Sequence, residues 1–303
     1  MTEAEIIERL RRLFPAIGDD AAVVGDQVIT TDMLIEDVDF TRAIPIDFVA
    51  RKSVAANLSD LAAMGATPWF AVVAVGAPKW LDIEKFMTAV AAAAKTYSLE
   101  IVGGDLSRSE KLVVSIAAIG RTKRPLLRSG AKPGDRIYVS RPLGASAAGL
   151  QLLQKPVQQL SYAEREFAEA VTQCHLDPEP EVALGIALGA IDAITACIDI
   201  SDGLSTDIKH LCDASAVGAD IERARIPVFP DLERAGPALG IDVRRAVLHG
   251  GEEFALLFTS SMRESQLSAK VGRPVYAIGR ISEQRGVRLD GEPLAAGGFD
   301  HFA

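Results

Sequence analysis

The chain has 303 residues, of which 49% are hydrophobic and 24% charged, and its net charge is −9. There is enough apolar material for a large core in two lobes, and the balance is too acidic for a protein that grips nucleic-acid phosphates. The three cysteines, Cys174, Cys197 and Cys212, are odd in number and widely spaced, which argues for a reducing cytoplasm and against a disulfide framework or a zinc site.

Residues 1–12 predict a charged amphipathic helix with Thr2 as its cap, and they lack the basic and apolar regions of a secretion signal. No apolar run reaches the length of a membrane span. After Gly18-Asp19-Asp20-Ala21-Ala22, a strand over 27–31 ends at Asp32. The three- and four-residue spacing of Ile46, Val49, Ser53, Asn57, Asp60 and Leu61 predicts a helix over 45–64, stopped by Gly65 and Pro68. Lys52 on that helix reads as a surface lysine. A strand over 69–75, a helix over 80–97, a short strand over 99–102 and another strand over 112–119 complete a first lobe.

Residues 121–135 are rich in charge, proline and glycine and read as the boundary between lobes. Arg121 to Arg124 within it read as a solvated loop. The second lobe opens with a strand over 136–140. Helices follow at 146–153 and 162–173, with a further segment at 181–188, then a strand at 196–200, a helix at 203–214 and a strand at 218–225. Strands at 254–259, 275–281 and 287–289 close it. Loose alternation of strands and helices gives an α/β (α+β) fold in two lobes, divided as 1–127 and 128–303.

The carboxylates carry the chemistry. Asp20, Asp32, Asp60, Asp105, Asp199 and Asp202 fall at strand ends or beside Gly, Ser or Thr, where α/β folds place ligands. Several carboxylates converging on one place repel one another unless cations neutralise them. Mg²⁺ takes only one or two protein carboxylates per ion, so five or six aspartates imply several ions, with substrate phosphates filling the other positions. Gly103-Gly104-Asp105 reads either as an ordinary turn or as a place where backbone N–H groups and a metal-bound carboxylate admit phosphate. In Asp199-Ile200-Ser201-Asp202-Gly203, two carboxylates exceed what a helix cap needs. Arg128 is placed either to reach a phosphate or to sit in solvent. No P-loop, dinucleotide fingerprint or protein-kinase loop is present.

Eight stretches recur in a known order: Gly18-Asp19-Asp20-Ala21-Ala22; Thr30-Thr31-Asp32-Met33; Lys52 through Ala66; Gly103-Gly104-Asp105; Arg128 through Asp135; Asp199 through Leu204; Gly250-Gly251-Glu252; and Gly298-Phe299-Asp300-His301-Phe302. Together they resemble the thiamine-monophosphate kinase family, within the superfamily of aminoimidazole-ribonucleotide synthetases. The resemblance implies transfer of the ATP γ-phosphoryl group to thiamine phosphate. It also implies a homodimer in which the N-terminal lobes, the ATP- and metal-binding part, pair their sheets into a barrel. By that resemblance Asp20, Thr30, Thr31, Asp32, Asp60, Asp105, Asp199 and Asp202 hold Mg²⁺. Tyr97, Gly104, Asp105, Arg128 and Ser201 meet ATP, and Asp105, Arg128 and Asp202 act in the transfer itself. Glu252 and Phe299 meet the thiamine moiety, as does Asp39, which stands where the family usually has histidine. The family's Gly-Gly-Glu-Asp-Tyr-Glu-Leu is here Gly-Gly-Glu-Glu-Phe-Ala-Leu. Both departures lie at the acceptor end.

Other readings stay open on the residues alone: a superfamily enzyme with another acceptor, or a nucleotide-binding protein without catalysis. Selenophosphate synthetase would be expected to carry an N-terminal reactive cysteine, whereas the first here is Cys174. The hydrogenase-maturation branch would be expected to end in cysteine, whereas this chain ends Asp-His-Phe-Ala. A scaffold would be expected to have lost part of the aspartate set.

Overall fold

The structure, a computed structural model, describes residues 3–155, 160–299 and 302. Thr2, Asp300 and His301 lie outside the described residues. After helix α1 (Glu3–Leu10), the first lobe is a five-stranded sheet of β1 (Ala22–Val24), β2 (Gln27–Ile35), β3 (Thr67–Ala77), β4 (Glu100–Arg108) and β5 (Val113–Arg121), in the order β1-β2-β5-β3-β4. Neighbours are antiparallel except β3 and β4. Those two are parallel because helix α3 (Ile83–Thr96) connects them as a crossover. Alternation along β3 buries Ala71, Val73 and Val75 against helix α2 (Ile46–Ala63) and α3. The other face carries Met33 and Val72 in the open.

The predicted strand over 99–102 continues to Arg108. Gly103, Gly104 and Asp105 are therefore not a turn after a strand but part of edge strand β4, opposite Val72, Val73 and Ala74. A side chain at Gly104 would meet the Val73 carbonyl at 1.9 Å, so glycine there permits the strand pairing itself.

The second lobe is a seven-stranded sheet of β6 (Arg136–Val139), β7 (Ile194–Asp199), β8 (Gly218–Ile221), β9 (Leu256–Ser260), β10 (Tyr276–Ser282), β11 (Gly286–Leu289) and β12 (Glu292–Pro293), in the order β12-β11-β8-β10-β6-β9-β7. Its helices are α4 (Ala145–Gln154), α5 (Tyr162–Leu176), α6 (Val182–Gly189), α7 (Leu204–Ser215), α8 (Leu232–Ala235), α9 (Val243–His249) and α10 (Glu264–Val271). Strands β6, β7 and β9 carry apolar residues at successive positions, 137–139, 196–198 and 256–258, because both faces of the sheet are covered. Tyr138, Cys197 and Phe258 join the core of the first lobe. Ile137, Ile198 and Leu257 join a second core beneath α4, α7 and α9.

Helix α2 is the shared spine, buried on nearly every side. Helix α6 approaches it so closely that a Cβ at Gly185 would meet the Ala62 carbonyl at 2.1 Å. Arg124 is no solvated loop residue: it donates to the carbonyls of Gly189, Ile191 and Ile194 at 3.2, 3.0 and 2.6 Å. Strand β8 ends at Ile221 and a 3₁₀ turn over Arg223–Arg225 replaces the rest of the predicted strand. Among the described residues no helix is long and apolar enough to cross a membrane.

Candidate active site

A buried helix with polar residues on it needs partners for them, and α2 finds them at the junction of the two lobes. The two-residue period of β2 turns Thr30 and Asp32 toward α2. Thr30 Oγ1 donates to Asp60 Oδ2, and the Asp32 amide donates to Asn57 Oδ1 at 3.2 Å. Strand β7 ends on Asp199, whose Oδ2 accepts from Ser59 Oγ at 2.6 Å. The segment before β1 adds Asp20. One carboxylate oxygen from each of Asp20, Asp60 and Asp199 lies within 4.8 Å of the others.

Arg128 faces this cluster. Its Nε and Nη2 donate to Asp20 Oδ1 at 3.0 and 2.6 Å, and its amide donates to Asp19 Oδ1 at 2.7 Å. Asp20 Oδ2 is buried and has no hydrogen-bond partner among the described residues. An ionised oxygen in that state is costly unless a cation meets it. The donor set, hard oxygens from aspartate and threonine, is the one Mg²⁺ prefers.

The electrostatics agree. Burial, then the charges of Asp32, Asp199 and Asp20, push Asp60 well above the usual carboxylate range. Burial and Asp20 push Asp199 up to about 8, and burial with Asp39 and Asp20 pushes Asp32 to about 6. Burial also raises Asp20, against the pull of Arg128. A carboxylate with a raised native pKa binds protons that the unfolded chain has released, so stability falls as pH rises toward the native pKa. Metal-free protein should therefore melt at a lower temperature at pH 8 than at pH 6. Mg²⁺ should restore much of the loss at pH 8, and differential scanning calorimetry at the two pH values checks both statements.

Other predicted residues lie elsewhere. Thr31 and Asp105 are in register with residues of the open face of the sheet, opposite to Thr30 and Asp32. Three strand spacings, about 14 Å, separate the β4 and β2 positions. Gly104 shares that edge strand. Asp105 Oδ2 accepts from Ser107 Oγ at 3.1 Å. Tyr97 lines a cleft of about 670 Å³ with Arg51, Arg141 and Glu179. Arg51 and Asp60 are two and a half helical turns apart, on opposite sides of α2.

Ser201 and Asp202 follow Asp199 in the loop to α7, and Glu252 and Phe299, two of the three residues expected at the acceptor end, meet that loop. The Glu252 amide donates to the Ser201 carbonyl at 2.7 Å, and the Phe299 amide donates to the Asp202 carbonyl at 3.2 Å. The Gly298 amide, on Thr206 Oγ1 at 3.1 Å, pins the same C-terminal stretch to α7. Asp39 Oδ2 accepts from the Ile35 amide at 2.7 Å, closing the turn at the end of β2.

Several participants escaped sequence reasoning. Asp207 is buried beneath the Ser201–Gly203 loop and accepts from the Gly203 amide at 2.9 Å. Its place on the apolar side of α7, with Leu204, Ile208 and Leu211, was the available signal. Asn57 and Ser59 orient the backbone and carboxylate of the cluster. Lys52, read as a surface residue, is 4% exposed.

Residues 18–122 match the family model "AIR synthase related protein, N-terminal domain", and residues 132–292 match its C-terminal counterpart. Fold and site thus define an enzyme class of two-lobed, AIR-synthase-related proteins. Thiamine-monophosphate kinase of Aquifex aeolicus is 33% identical over 94% of this chain and 92% of its own length. That of Halobacterium salinarum is 37% identical over 99% and 100%. A solved structure, AaThiL complexed with AMPPCP and TMP, superposes with a TM-score of 0.90 at 32% identity, covering 99% of this chain and 97% of the other. The chain belongs to the thiamine-monophosphate kinase family.

Proposed function

We propose that the protein transfers the γ-phosphoryl group of ATP directly to the phosphate of thiamine phosphate, giving thiamine diphosphate and ADP. The observation that carries this is the buried Asp20–Asp60–Asp199 cluster, with its unpartnered Asp20 oxygen and raised pKa values, in a chain of this family. Both substrates are polyanions. A phosphate monoester is already nucleophilic at neutral pH, so the protein's work is alignment and charge neutralisation rather than general-base chemistry.

Asp20, Thr30, Asp32, Asp60, Asp199 and Asp202 would hold Mg²⁺. Bound Mg²⁺ supplies the positive charge that lets phosphates and carboxylates share one site. Arg128 orders Asp19 and Asp20 and offers a planar guanidinium to phosphate oxygens. Ser201 and Asp202 sit where the cluster meets Glu252 and Phe299, so phosphates lie on the aspartate side and the thiamine rings on the other. Phe299 gives a face on which a cationic heteroaromatic ring can stack.

We further propose a homodimer. Asp105 and Gly104 lie on the edge strand, three strands from Asp32 and too far to serve the same phosphate within one protomer, while Thr31, beside Asp32, is turned to the open face. A second copy pairing its sheet against this face would cover the apolar surface and bring Asp105 to bear. We place the protein in the cytoplasm, since Cys174, Cys197 and Cys212 are free thiols. Tyr97 as an ATP contact remains a proposal that its position in the cleft behind α2 does not favour.

A second reading, a different phosphate acceptor, draws on Asp39 in place of the family's histidine. One assay separates the two. Purified protein with Mg·ATP should form ADP with thiamine phosphate and at least about a hundredfold more slowly with thiamine or simple phosphate monoesters. Faster turnover of another acceptor would overturn the substrate assignment.

A further inference from the structure

Lys52 lies eight residues before Asp60 on α2, so it plays no direct part in the aspartate cluster. It lines a narrow apolar sleeve together with Leu34, Phe40, Phe48, Val49 and Leu176. Its ammonium emerges in the second lobe, 2.8 Å from Glu252 Oε2 and 3.4 Å from His175 Nε2. Removing a lysine charge from water costs several kcal/mol unless it is well paired, and an apolar residue would fill such a sleeve more cheaply. The sequence nevertheless delivers a cation here, and its charged partner is a residue at the acceptor end.

The surroundings fix that partner. His175 is buried, and its Nδ1 lies 3.1 Å from Ser146 Oγ. Burial and the neighbouring ammonium hold its pKa down to about 4, so at neutral pH it contributes a hydrogen-bond acceptor and no charge. Glu252 stands at φ +56°, the left-handed region, as does Phe254 at +45°. Such backbone conformations persist only where surrounding structure enforces them, and they gather at functional sites. Here the enforcement is two amide bonds, Glu252 to the Ser201 carbonyl at 2.7 Å and Phe254 to the Ile200 carbonyl at 2.9 Å. The contacts of Glu252 with Lys52 and with the neutral His175 both fall on Oε2. The side chain is 30% exposed, which leaves Oε1 for a ligand.

We propose that Lys52 is a positioning and specificity-determining residue for the phosphate acceptor: reaching across the lobe interface, it holds the Glu252 carboxylate aimed at the heteroaromatic rings of the acceptor, one cationic and one amino-bearing. This rests on the thiamine-phosphate reading and deepens it. One helix thereby sets both ends of the acceptor, Asp60 governing the phosphates and Lys52 the rings.

Steady-state kinetics on Lys52→Met, Glu252→Gln and the double variant test this. Lys52→Met should raise KM for thiamine phosphate by about tenfold or more while KM for ATP stays within about twofold. In the Glu252→Gln background the same change should add less than about twofold, because the residue it acts through is already neutral. Equal rises in both KM values, or a full effect in the Glu252→Gln background, would overturn the proposal. Thermal unfolding of each variant provides the control. If Lys52→Met does not fold, Lys52→Gln, one atom shorter but keeping a donor, takes its place. Failure of that variant to fold as well would show a purely structural anchor and overturn the proposal. Wild-type protein with no thiamine phosphate-dependent turnover would instead overturn the functional reading, and this assignment with it.

Discussion

Asp60→Asn is expected to slow phosphoryl transfer by at least about a hundredfold and, in metal-free protein, to raise the melting temperature. The two effects share one cause. Asp60 is packed against Thr30 and within 4.8 Å of Asp20 and Asp199. In the absence of cations the three carboxylates repel one another in a poorly solvated place. Asparagine keeps the shape and an acceptor oxygen for Thr30 but removes one charge, so the empty site relaxes and the loaded site loses a ligand. Activity and calorimetry on the same preparation check the pair. Unchanged activity, or a lower metal-free melting temperature, would mean that the cluster is a hydrogen-bonded strut rather than a cation site.

Asp105→Asn should likewise cost at least about a hundredfold, but for a different geometric reason. Asp105 sits on the edge strand and is in register with the open face of the sheet, away from the cluster. If a second copy supplies it, Asp105→Asn and Asp60→Asn damage the same site from different protomers. Co-expressing the two inactive chains should then recover about a quarter of wild-type activity, since half the random dimers are mixed and each has one intact site. No recovery would place Asp105 in the same protomer as Asp60. A fully active Asp105→Asn protein would leave it as a strand residue only.

Much of this was legible in the residues because local rules and tertiary packing agree. Gly65 and Pro68 stop α2 where the helix pattern ends, the apolar run over 69–75 lies within β3, and the run over 254–259 is a strand from Leu256 onward, after the left-handed Phe254. The aspartates that meet, Asp20, Asp60 and Asp199, were marked by their strand-end and small-residue neighbours. What failed was whatever depended on pairing across the chain. Gly103-Gly104-Asp105 has turn composition, yet β3 draws it into a strand, since only glycine at position 104 fits beside the Val73 carbonyl. Lys52 has the spacing of an exposed helical residue, and its burial follows from α5 and the Glu252 loop closing over α2 from the other lobe. Arg124 looks like linker charge until the carbonyls at the end of α6 and the start of β7 are seen to need donors. Asp207 differs again: a carboxylate on an apolar helix side is a visible anomaly in the sequence, and its meaning comes only from the loop folded above it.

The central claim is that the polyaspartate site passes the terminal phosphoryl of ATP straight to thiamine phosphate. Label transfer from γ-³²P-ATP tests it most directly, with wild-type and Asp60→Asn protein, with Mg²⁺ and with chelator. Wild-type protein with Mg²⁺ should place the label in the terminal phosphate of thiamine diphosphate, and chelator or Asp60→Asn should abolish this. Label appearing as inorganic phosphate with thiamine phosphate unchanged, or transfer that persists in Asp60→Asn, would contradict it.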